Sequence, residues 1–144
     1  KKIGYLSSAL GSHIMQIRHK AFFHALKQNG LKSDPTYAGS SYYITQCMEK
    51  HLPRLLDLGI TSIVCSHDLI ANAAMIQCQQ LGYKVPDEIS IIGFDDLPIC
   101  AYTSPPLTTI RQERIQLGKS AYYCSGQPDE SSIHRNTSVT CKIN

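Results

Sequence analysis

The segment Ile89-Ser90-Ile91-Ile92-Gly93-Phe94-Asp95-Asp96 decides how this chain is expected to fold. Its first six residues form a short apolar run rich in branched side chains, which is typical of a strand buried in a parallel sheet. The preceding run, Leu69–Leu81, repeats apolar residues at helical spacing and is closed by Gly82, so it predicts a helix. Thr61–Cys65 is again short and branched, and strand, helix and strand in this order predict a βαβ unit.

The same alternation of short branched runs and helix-length runs extends in both directions along the chain. Further strands are predicted at Ile3–Ser7, Thr36–Ala38, Leu107–Ile110 and Ser138–Cys141, and further helices from Gly11-Ser12 to Asn29-Gly30, over Ile44–Leu58 and over Arg114–Cys124. Pro53 predicts a kink, or two shorter helices, within the second of these. The pattern indicates an α/β fold with a mostly parallel sheet.

The composition limits the classes of protein to which the chain can belong. Its 144 residues, 42% of them hydrophobic, are enough for one α/β core. The net charge of +3 is small and the basic residues are scattered, which argues against a nucleic-acid groove within this chain. There is no apolar run of about 18 residues, so we expect no membrane span. The first residue is Lys1 and a predicted strand follows at once, so we expect the chain to be part of a longer protein.

The cysteine usage predicts reduced thiols in a cytoplasmic protein. Three of the six cysteines, Cys65, Cys78 and Cys100, lie in apolar runs, where cysteine behaves as a small hydrophobic residue. No Cys-x-x-Cys pair and no Cys/His run with zinc spacing occurs, so we expect neither a metal nor a cofactor.

Candidate functional residues follow the predicted strands, because ligands of open parallel sheets bind beyond the carboxyl ends of the strands. Asp95 and Asp96 follow the segment that decides the fold, and either one faces a ligand or both only cap the next turn. Arg18 lies on the predicted apolar stripe of the first helix and should point toward the sheet edge. Its guanidinium either makes a structural salt bridge or grips hydroxyls or a carboxylate of a ligand, and Asp95 is one possible partner.

Two other clusters lie at the same edge. Ser66-His67-Asp68 is no catalytic triad, because consecutive side chains diverge. Ser66 or Asp68 is expected to cap the next helix, and His67 or Asp68 also faces the cleft. Tyr42-Tyr43 offers aromatic faces that suit a sugar ring, or else packs in the core. The motifs of serine hydrolases, P-loop proteins, dinucleotide-binding proteins and zinc proteases are missing, and we expect a binding module without catalytic residues.

Two long motifs resemble the lactose-repressor (LacI/GalR) family of bacterial transcriptional regulators. The first is Gly82-Tyr83-Lys84-Val85-Pro86-Asp87-Glu88-Ile89-Ser90-Ile91-Ile92-Gly93-Phe94-Asp95-Asp96, and the second is Pro105-Pro106-Leu107-Thr108-Thr109-Ile110-Arg111-Gln112. Leu117-Gly118-Lys119-Ser120-Ala121 and the pair Arg18 and Phe22 resemble shorter motifs of the family.

The resemblance implies a periplasmic-binding-protein-like fold of two α/β subdomains, each a three-layer, mostly parallel sheet with helices on both faces. It implies that residues 1–109 form the C-terminal subdomain of the effector-binding core and that residues 110–144 cross back toward the N-terminal subdomain. The implied partners are a small-molecule effector, expected to be a sugar, a second copy of the protein, and operator DNA bound through a helix-turn-helix domain outside this chain. Binding of the effector would change the affinity for DNA by allostery.

Carried over residue by residue, the resemblance assigns ligand binding to Arg18, Asp95 and Gln112. With His67, Asp68 and Tyr42, these form the predicted ligand-binding set. His67 stands where the family usually has an effector-binding asparagine, so the hydrogen-bond pattern toward a ligand should differ. Two rival functions are a periplasmic-type sugar-binding transport protein of the same fold, and a hydrolase using Asp95, Asp96 and His67.

Overall fold

The computed structural model describes residues 2–9, 11–124 and 142–143. The strands are β1 (Ile3–Ser7), β2 (Ala38–Ser40), β3 (Ser62–Cys65), β4 (Ser90–Phe94), β5 (Thr108–Arg111) and β6 (Lys142–Ile143). The α-helices are α1 (His13–Gln28), α2 (Ile44–Gln46), α3 (Leu52–Asp57), α4 (Asp68–Gln80) and α5 (Arg114–Cys124). A π-helical turn (Cys47–His51) joins α2 to α3, and two 3-10 turns lie at Pro35–Tyr37 and Pro98–Tyr102.

One sheet with the strand order β2-β1-β3-β4-β5-β6 organises the described residues. The first five strands are parallel, and β6 runs antiparallel to β5, with Ile110 opposite Ile143. The predicted α/β class with a mostly parallel sheet is therefore confirmed. The predicted strand at Ser138–Cys141 lies outside the described residues.

Helices cover both faces of the sheet, as expected for a three-layer fold. On one face, Tyr5 of β1 packs with Phe22 and Leu26 of α1. On the other face, the larger core includes Ile63 of β3 and Ile70 of α4. Strand alternation explains the division, because successive side chains point to opposite faces.

The buried face of α1 differs from the predicted apolar stripe, which comprised Ile14, Ile17, Ala21, Phe22, Ala25 and Leu26. Phe22 and Leu26 are buried, but Ile14 and Ile17 are 57% and 53% exposed. Counting back from Phe22 in helical steps brings Arg18 and Met15 onto the half-buried side instead. The predicted stripe was wrong for Ile14 and Ile17, and also for Ala21 and Ala25, which are exposed; its consequence, an inward-facing Arg18, is confirmed.

Local hydrogen bonds explain where two other elements differ from prediction. The carboxylate of Asp34 accepts the Thr36 N–H at 3.0 Å and holds Pro35–Tyr37 in a turn, so β2 begins at Ala38 and not at Thr36. The predicted helix over residues 44–58 is interrupted, as Pro53 suggested. The interruption is the π-helical turn that precedes this proline, and Pro53 itself lies in the first turn of α3.

Four cysteines belong to the core, and for Cys65, Cys78 and Cys100 their apolar neighbours suggested this. Cys47, Cys65, Cys78 and Cys100 are buried and unpaired. Burial raises the pKa of the Cys78 thiol to about 11 and, with the Asp68 carboxylate, that of Cys100 to about 12. Among the described helices, none is long and apolar enough to cross a membrane.

Candidate functional site

Arg18 and Asp95 meet at the carboxyl edge of the sheet, although they are 77 residues apart in sequence. The Nη2 atom of Arg18 donates to Oδ1 of Asp95 at 3.0 Å, and the two side chains are 17% and 27% exposed. The guanidinium also lies over the ring of Phe94, 3.9 Å from its centroid, and Nη1 donates to the carbonyl of Ser66. These contacts fix a planar charged group at the rim of the sheet, where part of it still reaches solvent.

Gln112 joins the same cluster from the segment after β5. Its Nε2 donates to Oδ1 of Asp95 at 2.6 Å, so both side-chain donors bind one carboxylate oxygen. Within the described residues, the other oxygen of Asp95 makes no hydrogen bond to the protein. The cluster therefore offers a ligand one charged acceptor beside the remaining N–H donors of Arg18.

The turn that carries Asp95 has unusual backbone geometry. Asp95 and Asp96 have φ angles of 110° and 53°, in the left-handed region that favours glycine. Asp96 pairs with Arg111, whose Nε donates to Oδ2 at 2.5 Å. The guanidinium of Arg114 donates to the carbonyls of both aspartates. Neither arginine was among the predicted site residues.

His67 lies at this edge, but both of its ring nitrogens have partners within the protein. It is the N-cap of α4, and its Nδ1 accepts the N–H of Ile70 at 3.4 Å. Because Nδ1 accepts, the ring proton is on Nε2, which donates to Oγ of Ser8 at 2.6 Å. Burial lowers the pKa of His67 below its ordinary value of 6.5, and the nearby Arg18 guanidinium acts in the same direction. The prediction that Ser66 or Asp68 caps α4 was thus wrong, because the cap is His67, which lies between them.

Asp68 is placed inside the fold and not at the ligand cluster. It is fully buried, its Oδ2 accepts the N–H of Leu97 at 2.7 Å, and its Oδ1 accepts the hydroxyl of Thr109 at 2.5 Å. Both oxygens are therefore occupied by the turn after β4 and by β5. The structure does not support the prediction that Asp68 faces a ligand.

Tyr42 lies on the loop between β2 and α2 and its side chain is exposed. Its carbonyl accepts the N–H of Ala9, which places the loop beside the end of β1. Tyr43 is equally exposed, so neither tyrosine packs in the core. No contact between the Tyr42 ring and the Arg18–Asp95 pair occurs in the described part of the chain, and its role toward a ligand stays a prediction.

A separate cavity of about 400 Å³ lies between α1 and β2. Met15, His19 and Lys20 line one side of it, and Ala38 and Ser40 line the other. The polar cluster at the strand ends is not part of its wall. Within the described residues, His, Cys, Asp and Glu side chains form no group of three or more that could hold a metal ion.

Sequence reasoning identified three of the residues that meet here, Arg18, Asp95 and Gln112, and missed Ser8 and Arg114. Ser8 directly follows β1, so its position at the carboxyl end of a strand was a usable signal. Arg114 carried no such signal, because its role depends on backbone angles 19 residues earlier in the chain.

A parallel sheet that gathers polar side chains beyond its strand ends defines a ligand-binding α/β domain. The chain belongs to the family described as the periplasmic binding protein-like domain, whose profile matches residues 1–123.

Individual proteins resemble the chain over most of its length. A transcriptional repressor of Aliivibrio salmonicida, PurR, is 35% identical over 122 residues, which cover 83% of this chain and 37% of the relative. The transcriptional repressor CytR of Escherichia coli is 33% identical over 123 residues, or 84% of this chain and 36% of the relative. A crystal structure of the Lac repressor bound to ONPG superposes with a TM-score of 0.73 at 26% identity and covers 85% of this chain and 38% of that one.

The first two relatives are transcriptional repressors, and the chain spans a little over a third of their length.

Proposed function

We propose that this chain is the effector-binding part of a LacI-family transcriptional regulator, which changes its affinity for operator DNA when a small molecule binds. The observation that carries the proposal is the convergence of Arg18, Asp95 and Gln112 at the carboxyl edge of the sheet. The repressor identity of the relatives favours this function over a transport-type sugar-binding protein or a hydrolase.

The proposal extends to the whole protein. Residues 1–109 form the C-terminal subdomain of the effector-binding core, and residues 110–144 cross back toward the N-terminal subdomain. The regulator acts in the cytoplasm as a homodimer, binds operator DNA through a helix-turn-helix domain outside this chain, and responds to a small polar effector such as a sugar. Effector binding must favour one arrangement of the subdomains over another, because only such a difference can change the affinity for DNA.

The chemistry of the cluster suits a ligand with neighbouring hydroxyl or amide groups. Asp95 can accept a hydrogen bond from such a group, and the planar fork of Arg18 can donate two parallel bonds to adjacent oxygens. Because the two charges already neutralise each other, a neutral polar ligand fits the cluster at a smaller desolvation cost than an ion.

Thermal unfolding of the full-length protein tests the proposal, with D-galactose, D-ribose, cellobiose, adenosine, cytidine and hypoxanthine as probes. A ligand present at 100 times its Kd should stabilise the protein by about 2.7 kcal/mol. Arg18→Ala should weaken binding by about two orders of magnitude, because truncating one member of a hydrogen-bonded charge pair costs roughly 2–5 kcal/mol when the pair is buried, and this partly buried pair should fall near the lower end. At the same ligand concentration, about 0.4 kcal/mol of stabilisation would then remain.

Arg18→Lys keeps the positive charge but removes the planar guanidinium, so this variant should bind the same probe less tightly than the wild type. The matched control is Lys27→Ala, which removes an exposed positive charge from the last turn of α1 and should not change ligand binding. If no probe stabilises the wild type, or if Arg18→Ala is stabilised equally, the proposed site is wrong.

A further inference from the structure

The turn after β4 holds two consecutive L-residues in a conformation that side chains disfavour. Asp95 at φ 110° and Asp96 at φ 53° both lie in the left-handed region. A residue held in such a sparsely populated region persists only where its surroundings over-determine it, and such residues cluster at functional sites. The turn also carries the carboxylate that meets Arg18, so its geometry sets the direction of that carboxylate.

Arg114 makes the contact that can hold this geometry. Its Nη2 donates to the carbonyl oxygens of both Asp95 and Asp96, the latter at 3.2 Å. A guanidinium that binds two successive carbonyls restrains the peptide unit between them, because its donors keep a fixed planar arrangement. Arg114 is the first residue of α5, so the restraint comes from outside the β4 turn.

Two further side chains from the same short segment contact the turn but restrain it less. Arg111 pairs with the carboxylate of Asp96 and not with its backbone, and this arginine is 45% exposed, so solvent screens the pair. Gln112 binds the carboxylate of Asp95. Of these three side chains, Arg114 is the one that donates to the backbone carbonyls of both residues.

We propose that Arg114 is a positioning residue for the ligand site: it holds the Asp95–Asp96 turn in its left-handed conformation and thereby aims the Asp95 carboxylate at Arg18. The effect of Arg114 on ligand affinity rests on the proposed function. Its effect on the conformation of the Asp95–Asp96 turn does not depend on any ligand. It also connects the placement of α5 to the site, because displacing the start of that helix would release the turn.

The test compares Arg114→Gln with Arg111→Gln in the full-length protein, so that each variant loses one positive charge from the same segment. The first readout is hydrogen–deuterium exchange of the peptide containing Asp95 and Asp96. Their amides donate to the Ile110 carbonyl at 2.9 Å and to the Thr109 hydroxyl at 3.3 Å. Arg114→Gln should lower the protection of these amides by about tenfold, and Arg111→Gln by less than about twofold.

A general loss of stability would increase exchange everywhere, so peptides from β1 serve as the reference and should not change in either variant. The inference is overturned if the turn peptide exchanges as in the wild type, or if β1 loses protection by the same factor.

The second readout is the affinity for whichever of the six probes named above binds the wild type. Arg114→Gln should weaken it by about tenfold, equivalent to one lost charge-assisted hydrogen bond. Adding Asp96→Gly to Arg114→Gln should restore most of that affinity, because glycine adopts a φ of 53° without restraint. If the affinity of Arg114→Gln is unchanged, the inference about Arg114 is overturned and the proposed function is not. If the wild type binds none of the probes, the proposed function is overturned, and the exchange experiment alone decides the role of Arg114.

Discussion

Replacing Gly93 with alanine should destabilise the protein severely, because the new Cβ atom would collide with a fixed carboxylate. An ideal Cβ on Gly93 lies 2.2 Å from Oδ1 of Asp68, at least about 1 Å inside normal contact distance. Asp68 cannot move aside cheaply, since it is fully buried and binds Leu97 and Thr109. Losing the hydroxyl bond to the charged oxygen costs about 1.5–3 kcal/mol, and overpacking adds about 1–3 kcal/mol.

The expected loss of roughly 2.5–6 kcal/mol is a large part of the 5–15 kcal/mol typical of a domain, and urea unfolding monitored by circular dichroism would measure it. The control is Gly118→Ala in α5, where an added Cβ meets no atom of the described residues within 4 Å and should cost nothing or gain up to about 1 kcal/mol. In an Asp68→Ala background the carboxylate is absent and the Cα atom of residue 68, 3.3 Å from the new Cβ, still crowds it, so Gly93→Ala should cost clearly less than in the wild type, about 1–2 kcal/mol. A Gly93→Ala protein as stable as the wild type would refute the reasoning.

Two other regions give predictions of a different kind. Because the pKa of His67 is lowered in the folded protein, the unfolded chain binds more protons between that pKa and the ordinary value of 6.5. The contribution of His67 to the free energy of unfolding is therefore complete above pH 6.5 and should fall on acidification, by less than about 1.4 kcal/mol per pH unit. Urea unfolding from pH 7.5 to 5.5 measures this fall, and His67→Asn should make the free energy of unfolding depend less on pH. If acid destabilises the variant as much as the wild type, His67 is not the group responsible. Arg54 donates to the carbonyls of Thr36 and Ala38 at 2.5 and 2.7 Å, so Arg54→Met should cost about 1–2 kcal/mol and expose the edge of β2. Gel filtration at two concentrations should then show self-association, and a strictly monodisperse variant of unchanged elution would contradict this role.

The sequence patterns predicted the regular elements well where a local signal was strong. β1 and α5 have the bounds that the patterns indicated, and β4 begins one residue later than predicted. The position of Asp95 was also foreseeable from the rule that parallel strands present their carboxyl ends at one edge, whereas Arg18 was placed there by an apolar stripe that the structure corrects.

Features that depend on distant partners were not predictable in the same way. The helical spacing of Ile14 and Ile17 was correct for an amphipathic helix, but the sheet extends under the face that carries Phe22, and this is a tertiary property. Asp68 was expected to cap a helix or to face the cleft, and its burial depends on two partners distant in sequence, the N–H of Leu97 and the hydroxyl of Thr109.

The anchoring of α1 has a mechanical consequence. Its two buried residues, Phe22 and Leu26, lie in the second half of the helix, and the first half exposes Ile14 and Ile17. The helix thus packs against the sheet mainly through its second half, and Arg18 lies near the middle of the helix. A small tilt of the first half of α1 would move the Arg18 guanidinium across the carboxyl edge of the sheet, while the residues packed around Asp68 stay in place. We therefore expect the site to adapt to ligands of different size on its α1 side.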